Sequence, residues 1–449
     1  MPEPPIPPTS EDEDEIVPPE GRTDSPNAET PSAPSDVETQ EAPSLAAALG
    51  PREGQRWYQA LVIPALAVIT ALVIGALIIV FSHDEALAAW SRFFRHPTEA
   101  LSVSWQVVRE SYRALLTGAF GSPTTIASAI SSGELAQIQS ALYPLSETVV
   151  TATPLIFVGL SVALGFRAGL FNIGAEGQVN VGGLVAGAAG IGLTFLPDPI
   201  LLVVVILAGF LGGAVWGFVP GVLKAKTGAH EVITTIMLNF VGVSLVLYLL
   251  STDFYKQQAE PVSKPVQVAY PHLFGSGVRL HMGILVAIAF AFGVAWLLNR
   301  TTVGFAFRAI GANADAARAA GIDPNRTTIL AMSLSGGLSG LAGANQLTSI
   351  TPSLFPGFAS GLGFDGIAIA LLGGGNPGGV VAAAFLFGAL RTGGRSMQVQ
   401  TQTPIDIIVV IQALVIAFVA APALVRAMYR LKKRRVVGAA DTFAKGWGS

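Results

Sequence analysis

Apolar residues gather along this chain in long runs, not at the spacing of a surface helix or strand. Eight runs, at 61–81, 142–166, 170–196, 200–223, 232–250, 282–298, 328–347 and 405–425, are close to or beyond the length of a bilayer crossing, which takes about 20 residues of helix. Two more, at 362–372 and 380–390, are short and bracketed by glycine. Together they predict an all-α membrane protein, a polytopic bundle of about ten transmembrane helices. Between the first two runs, residues 100–120 have an amphipathic pattern that fits a helix lying along the outer membrane surface.

Within these runs glycine is spaced for packing. Gly209, Gly213, Gly217 and Gly221 form a four-step stripe on the fourth span, and Ser333, Gly336, Gly340 and Gly343 form another on the seventh. Helices in lipid associate by close approach, so such stripes mark contact faces.

The third span opens polar, as GLFNIGAEGQVNVGG over 169–183. On a continuous helix Asn172, Glu176 and Asn180 would share one face at i, i+4 and i+8. Gln178 lies beside them. Such groups at membrane depth face a cavity or satisfy one another across a helix contact. The eighth segment places one acid, Asp365, at the start of a stretch too short to span as a regular helix, where it serves a helix break or a pathway. Interrupted segments at corresponding places in two halves point to a transport route. Spans two to five and seven to ten are the expected halves, inverted because five crossings separate them. At the start of the fifth span Glu231 suits the first helical turn, and Asn239, two turns on, is the deeper pathway candidate.

Charge then orients the chain. With the N-terminus inside, the inner segments hold 16 of the 25 lysines and arginines that follow residue 50, so both termini are expected in the cytoplasm. Residues 1–50 hold 12 of the 29 acids and 11 of the 29 prolines. Residues 1–56 are therefore expected to be a disordered cytoplasmic tail, residues 57–435 the membrane domain, and 436–449 a short cytoplasmic tail. The inner loop 300–327 carries a two-turn helix. Asn313 or Asp315 caps it, Gly321 stops it and Pro324 prevents its continuation. Alone in water it is too short to be stable, so the inner face of the membrane domain or a docked protein must hold it.

Composition removes other chemistries. The chain has no cysteine, hence no disulfide or thiolate site. It has no Gly-Lys dipeptide, hence no P-loop. The histidines lack metal spacing, and no basic module suggests nucleic acid. No cofactor, metal or catalytic residue is expected, and lipid is the surrounding partner.

Four blocks carry a resemblance. FNIGAEGQ at 171–178, HEVITTIMLN at 230–239, GANADAARAAGI at 311–322 followed by SGGLSGLAG at 335–343, and GFDGIAIALLG at 363–373 occur in this order. They resemble the permeases of ABC importers of the ribose and branched-chain amino acid type, most of all the nucleoside branch. The resemblance implies a transport subunit, not an enzyme, working beside a cytoplasmic ATPase that binds ATP-Mg. It also implies a second related permease, as a heterodimer, and a lipid-anchored extracytoplasmic binding protein in a prokaryotic plasma membrane. It makes Arg308, Gly311, Asn313, Ala316, Ala317, Ala320 and Gly321 the ATPase coupling loop. The pathway candidates are Asn172, Glu176, Gln178, Asn180, Asn239 and Asp365. Alternatives are a ribose-type sugar permease or a proton-coupled secondary transporter using Glu176 and Asp365. An uncharged cargo is favoured by the residues themselves, since Arg167 and Arg391 fall near span ends and no base is expected deep in a span.

Overall fold

The computed structural model describes residues 57–257, 261–275 and 277–430. The acidic tail, the basic residues after Arg430 and the segment 436–449 lie outside the described residues. Sixteen helices follow one another: α1 (Trp57–Ser82), α2 (Asp84–Ser91), α3 (Pro97–Phe120), α4 (Pro123–Ser132), α5 (Leu135–Arg167), α6 (Ala175–Gly192), α7 (Asp198–Thr227), α8 (Glu231–Leu250), α9 (Gly283–Arg300), α10 (Thr302–Ala312), α11 (Ala314–Ala319), α12 (Pro324–Ser349), α13 (Leu362–Leu372), α14 (Pro377–Thr401), α15 (Asp406–Ala420) and α16 (Pro422–Met428). Among the described residues β structure is limited to two isolated bridges, Lys256 with Ser263 and His272 with His281. Among the described residues six helices, α1, α5, α7, α8, α9 and α12, are long and apolar enough to cross a membrane. The shorter α13 and α15 occupy the eighth and tenth apolar runs.

The helices α5–α8 and α12–α15 pair crosswise. The largest helix contact joins α7 to α12, and its counterpart joins α14 to α5; α6 likewise packs on α12, and α13 on α5. Glycine is the cause at the first contact. The two stripes foreseen on separate spans face each other: a side chain on Gly213 or Gly340 would run into Gly336 or Gly209 backbone, and one on Gly217 into the Met332 carbonyl. Backbones that close gain dispersion contacts a larger residue would prevent. At the other contact a Cβ on Gly388 would lie 2.8 Å from the Thr148 carbonyl.

Two elements differ from the expectation. The third span was expected from residue 170, but its helix starts at Ala175. Gly169 turns the chain at φ 69°, and a Cβ there would sit 2.7 Å from Gly311 Cα. Asn172 therefore lies outside the helix and does not share a face with Glu176 and Asn180. Its Oδ1 instead accepts the Gly174 N–H at 3.0 Å, the local turn for which Asn is suited. The ninth run, expected over 380–390, is the 25-residue helix α14. Gly393 and Gly394 continue it by packing tightly on Leu115 and Ile408. Arg391 is thus 14 residues, about 21 Å, beyond the first residue of α14, and is not at a span end.

Candidate translocation site

The N-termini of the two interrupted helices, α6 and α13, meet at Glu176. Its Oε1 accepts the Gly361 N–H at 2.9 Å, and its Oε2 accepts the Gly363 N–H at 2.8 Å. Two helix starts present unsatisfied N–H groups and partial positive charge, and a carboxylate between them answers both. Gly363 is required by this approach, because a Cβ would collide with the Glu176 backbone. Gly361 supplies the turn into α13 at φ 79°.

The other polar candidates serve the same junction. Asn239 Oδ1 accepts from Gly177 N at 2.8 Å, while its Nδ2 donates to the Ile173 carbonyl at 2.9 Å. Asn172 Nδ2 donates to Gln178 Oε1 at 2.9 Å and to Ser335 Oγ at 2.8 Å. Asn180 returns a bond to the Glu176 carbonyl at 3.1 Å. Asn172, Gln178, Asn180 and Asn239 are buried, and Glu176 is only 9% exposed. Burying amides is tolerable when their hydrogen bonds are made inside the protein. Asp365, four residues into α13, is ion-paired with Arg391 of α14. The structure therefore brings five of the six candidates around one helix junction and sets Asp365 on the far partner of it. Arg391, expected near a span end, lies within α14 and answers Asp365.

Sequence reading missed three groups. Ser161 of α5 bonds the Ser335 carbonyl at 2.6 Å and receives Ser339 Oγ at 2.7 Å, a buried cluster joining the halves. Lys224 and Glu231 pair at 2.6 Å across the α7–α8 turn, so Glu231 has a cation as well as a helix start. Arg279 bonds Glu147 at 3.1 Å and the Ser349 carbonyl at 3.2 Å. Serines in an apolar helix, charges on either side of a turn between helices, and charges far apart in sequence carry no spacing signal that would pair them.

In the loop, Asn313 is the cap: its Oδ1 accepts from Asp315 N and Ala316 N, both at 3.0 Å. Gly321 ends α11 at φ 84°. Pro324 becomes the first residue of α12, with Asp323 as that helix's cap. Gly311 seats α10 against Gly169 and Arg167 backbone, and Arg308 is half-buried on the same helix. Ala317 is buried at 4% exposure, whereas Ala316 and Ala320 are exposed. One face of the short helix is held by the membrane domain and the other is bare. Among the described residues no group of three or more acids or histidines could hold a metal.

Six long apolar helices, shorter ones in their midst and two interrupted helices meeting head to head define a multi-pass membrane protein with the build of a transport subunit. Residues 145–420 match the family model described as "Branched-chain amino acid transport system / permease component". A guanosine ABC transporter permease, NupP of Bacillus subtilis, is 35% identical over 83% of this chain and 97% of its own length. The nucleoside ABC transporter permease NupB of Lactococcus lactis is 33% identical over 67% of this chain and 85% of its own. A glucose ABC transporter permease, TsgB13 of Haloferax volcanii, is 34% identical over 62% of this chain and 76% of its own. No solved structure matches. The chain belongs to the branched-chain amino acid transport system permease family, whose members are transport components of ABC systems and not enzymes.

Proposed function

We propose that this chain is the transmembrane permease of an ATP-driven importer for nucleosides. The observation that carries the reading is the alignment with a guanosine permease along nearly that protein's whole length, reinforced by a second nucleoside permease. A sugar reading has its own support in the glucose permease. The family's name mentions branched-chain amino acids, while Asp365 and Arg391, the acid and base of α13 and α14, are already paired with each other.

In this reading the membrane domain 57–435 crosses a prokaryotic plasma membrane ten times with both termini inside. The positive residues of 300–327 and of the chain end favour that orientation. The bare face of α11, with Asn313, Ala316, Ala320 and Gly321, docks the partner ATPase, which holds ATP-Mg. Arg308, Gly311 and Ala317 fix that helix to the membrane domain. A lipid-anchored binding protein delivers cargo from outside, and a second permease completes the complex.

Mechanically, the junction at Glu176 is suited to movement without exposing backbone to lipid. Interrupted helices can tilt about the non-helical residues 168–174 and 350–361, while the carboxylate and the Asn239 amide keep the freed N–H and C=O groups answered. Force applied at α10–α11 reaches this junction through Gly311 on Gly169. The test is ATP hydrolysis by the purified complex. Guanosine-loaded binding protein should stimulate it, and leucine- or ribose-loaded protein should not. Stimulation by leucine alone would contradict the reading.

A further inference from the structure

One continuous face of α5 is polar where a lipid-facing helix would be apolar. Gln139, Ser140 and Tyr143 line an open groove of about 350 Å³ at the start of that helix. One turn further, Glu147 and Thr151 line a cavity of about 120 Å³ closed by Arg279, Gln346, Arg391 and Arg395. These positions follow i, i+3 and i+4 spacing, so groove and cavity lie end to end on one helix. The cavity floor is Leu362, the first residue of α13, beside the Glu176 junction.

The cavity holds an unanswered polar group. Glu147 Oε2 bonds Arg279, but its Oε1 is buried with no hydrogen-bond partner among the described residues. Arg395, exposed where it lines the cavity, forms no ion pair among the described residues, unlike Arg279 and Arg391. Buried polar atoms without partners are uncommon and call for a physical explanation. Here their chemistry selects a ligand. The free carboxylate oxygen calls for a donor, and the Gln346 amide and the arginines of the wall offer donors of their own. A neutral group rich in both donors and acceptors answers both, which is the chemistry of a polyhydroxyl ring. The volume, about four times the roughly 30 Å³ share of a water, admits a sugar ring and not a ring joined to a purine. A base would rest one helical turn outward, against Tyr143.

We propose that this cavity inside a single permease seats the sugar ring of the transported ligand, with Glu147 accepting from its hydroxyls and Arg395 and Gln346 donating to them. The proposal rests on the nucleoside reading above. The assay is uptake by the whole importer of radiolabelled guanosine and of its 2′,3′-dideoxy analogue. Both are delivered by the same binding protein, so the change in their ratio between wild type and variant reports on the permease. In Glu147→Gln the guanosine-to-dideoxyguanosine ratio should fall about tenfold, because the charge-assisted bond to the hydroxyls is weakened. A second measurement keeps the test open should that variant fail to accumulate. Gln346→Cys, the single thiol of its chain, should be labelled from outside by an impermeant reagent. Guanosine should slow that labelling and guanine should not. Guanosine import by the wild type, with an unchanged ratio or with labelling indifferent to guanosine, would overturn the subsite alone. A wild type that imports neither guanosine nor ribose would overturn the functional reading and the subsite together.

Discussion

Replacing Glu176 by glutamine changes one atom at the place where α6 and α13 meet, and its cost can be worked from the contacts. The carboxylate accepts two backbone N–H bonds, at 2.9 and 2.8 Å, one on each oxygen. Glutamine keeps one acceptor; its amide nitrogen points a donor at the remaining N–H. Losing a hydrogen bond to a charged group costs about 1.5–3 kcal/mol, and the N–H left behind adds a desolvation penalty of similar order. The two helix starts also lose their anion, about 0.3–1 kcal/mol each. The expected loss is about 4–8 kcal/mol, with no volume change to blur the reading. The assay is denaturant unfolding of the purified permease in detergent, wild type against Glu176→Gln. A loss below about 1 kcal/mol would refute the claim that this carboxylate holds the interrupted helices together. An equally stable variant that no longer transports would make Glu176 a pathway group instead.

Other outcomes follow from individual contacts. Gly340→Val should abolish stable accumulation, since the backbone of Gly209 and Gly213 leaves no room, whereas Gly293→Ala, with open space around it, should be tolerated or gain up to about 1 kcal/mol from helix propensity; immunoblots of membrane fractions distinguish them. Ala316→Asp and Ala320→Asp, on the bare face of α11, should uncouple ATP hydrolysis from cargo without loss of thermal stability, and unchanged coupling would contradict the docking role. In the loop after α8, His281 stacks on Tyr270 and is pushed down to about 4 by burial, with His272 and Arg279 adding to the effect. Its folded value lies below its ordinary value of 6.5. Stability is therefore full above that value and declines as pH falls toward 4, by about 2 kcal/mol at pH 5. Melting of His281→Asn should show that much less acid sensitivity; an identical pH slope would contradict it.

Much of the bundle was legible because lipid leaves few options: a run of about 20 apolar residues has to be a helix. Gly361 and the glycines of 373–375 also bounded α13 correctly, since glycine permits the turns that flank it. The length of α14 was not legible. Arg391 and Arg395 end the apolar run, and only the positions of Asp365 and of the cavity explain why they continue within a helix. Asn172, Glu176, Gln178 and Asn239 were recognisable as buried polar residues, yet their partners were not. Glu176 answers N–H groups 185 and 187 residues away, a pairing made by the meeting of two halves and not by any local spacing. The stripes on α7 and α12 were each visible, but nothing in either said that the other was its partner. The cavity beside Glu147 was invisible for the same reason, since its walls come from five separated segments.

The central claim, nucleoside import through this permease, is tested most directly by deleting the gene and measuring uptake of radiolabelled guanosine, adenosine, uridine, ribose and leucine in the same cells. The account predicts that ATP-dependent nucleoside uptake is lost and restored by the intact gene, while ribose and leucine uptake persist. Loss of ribose or leucine uptake with nucleoside uptake untouched would contradict it.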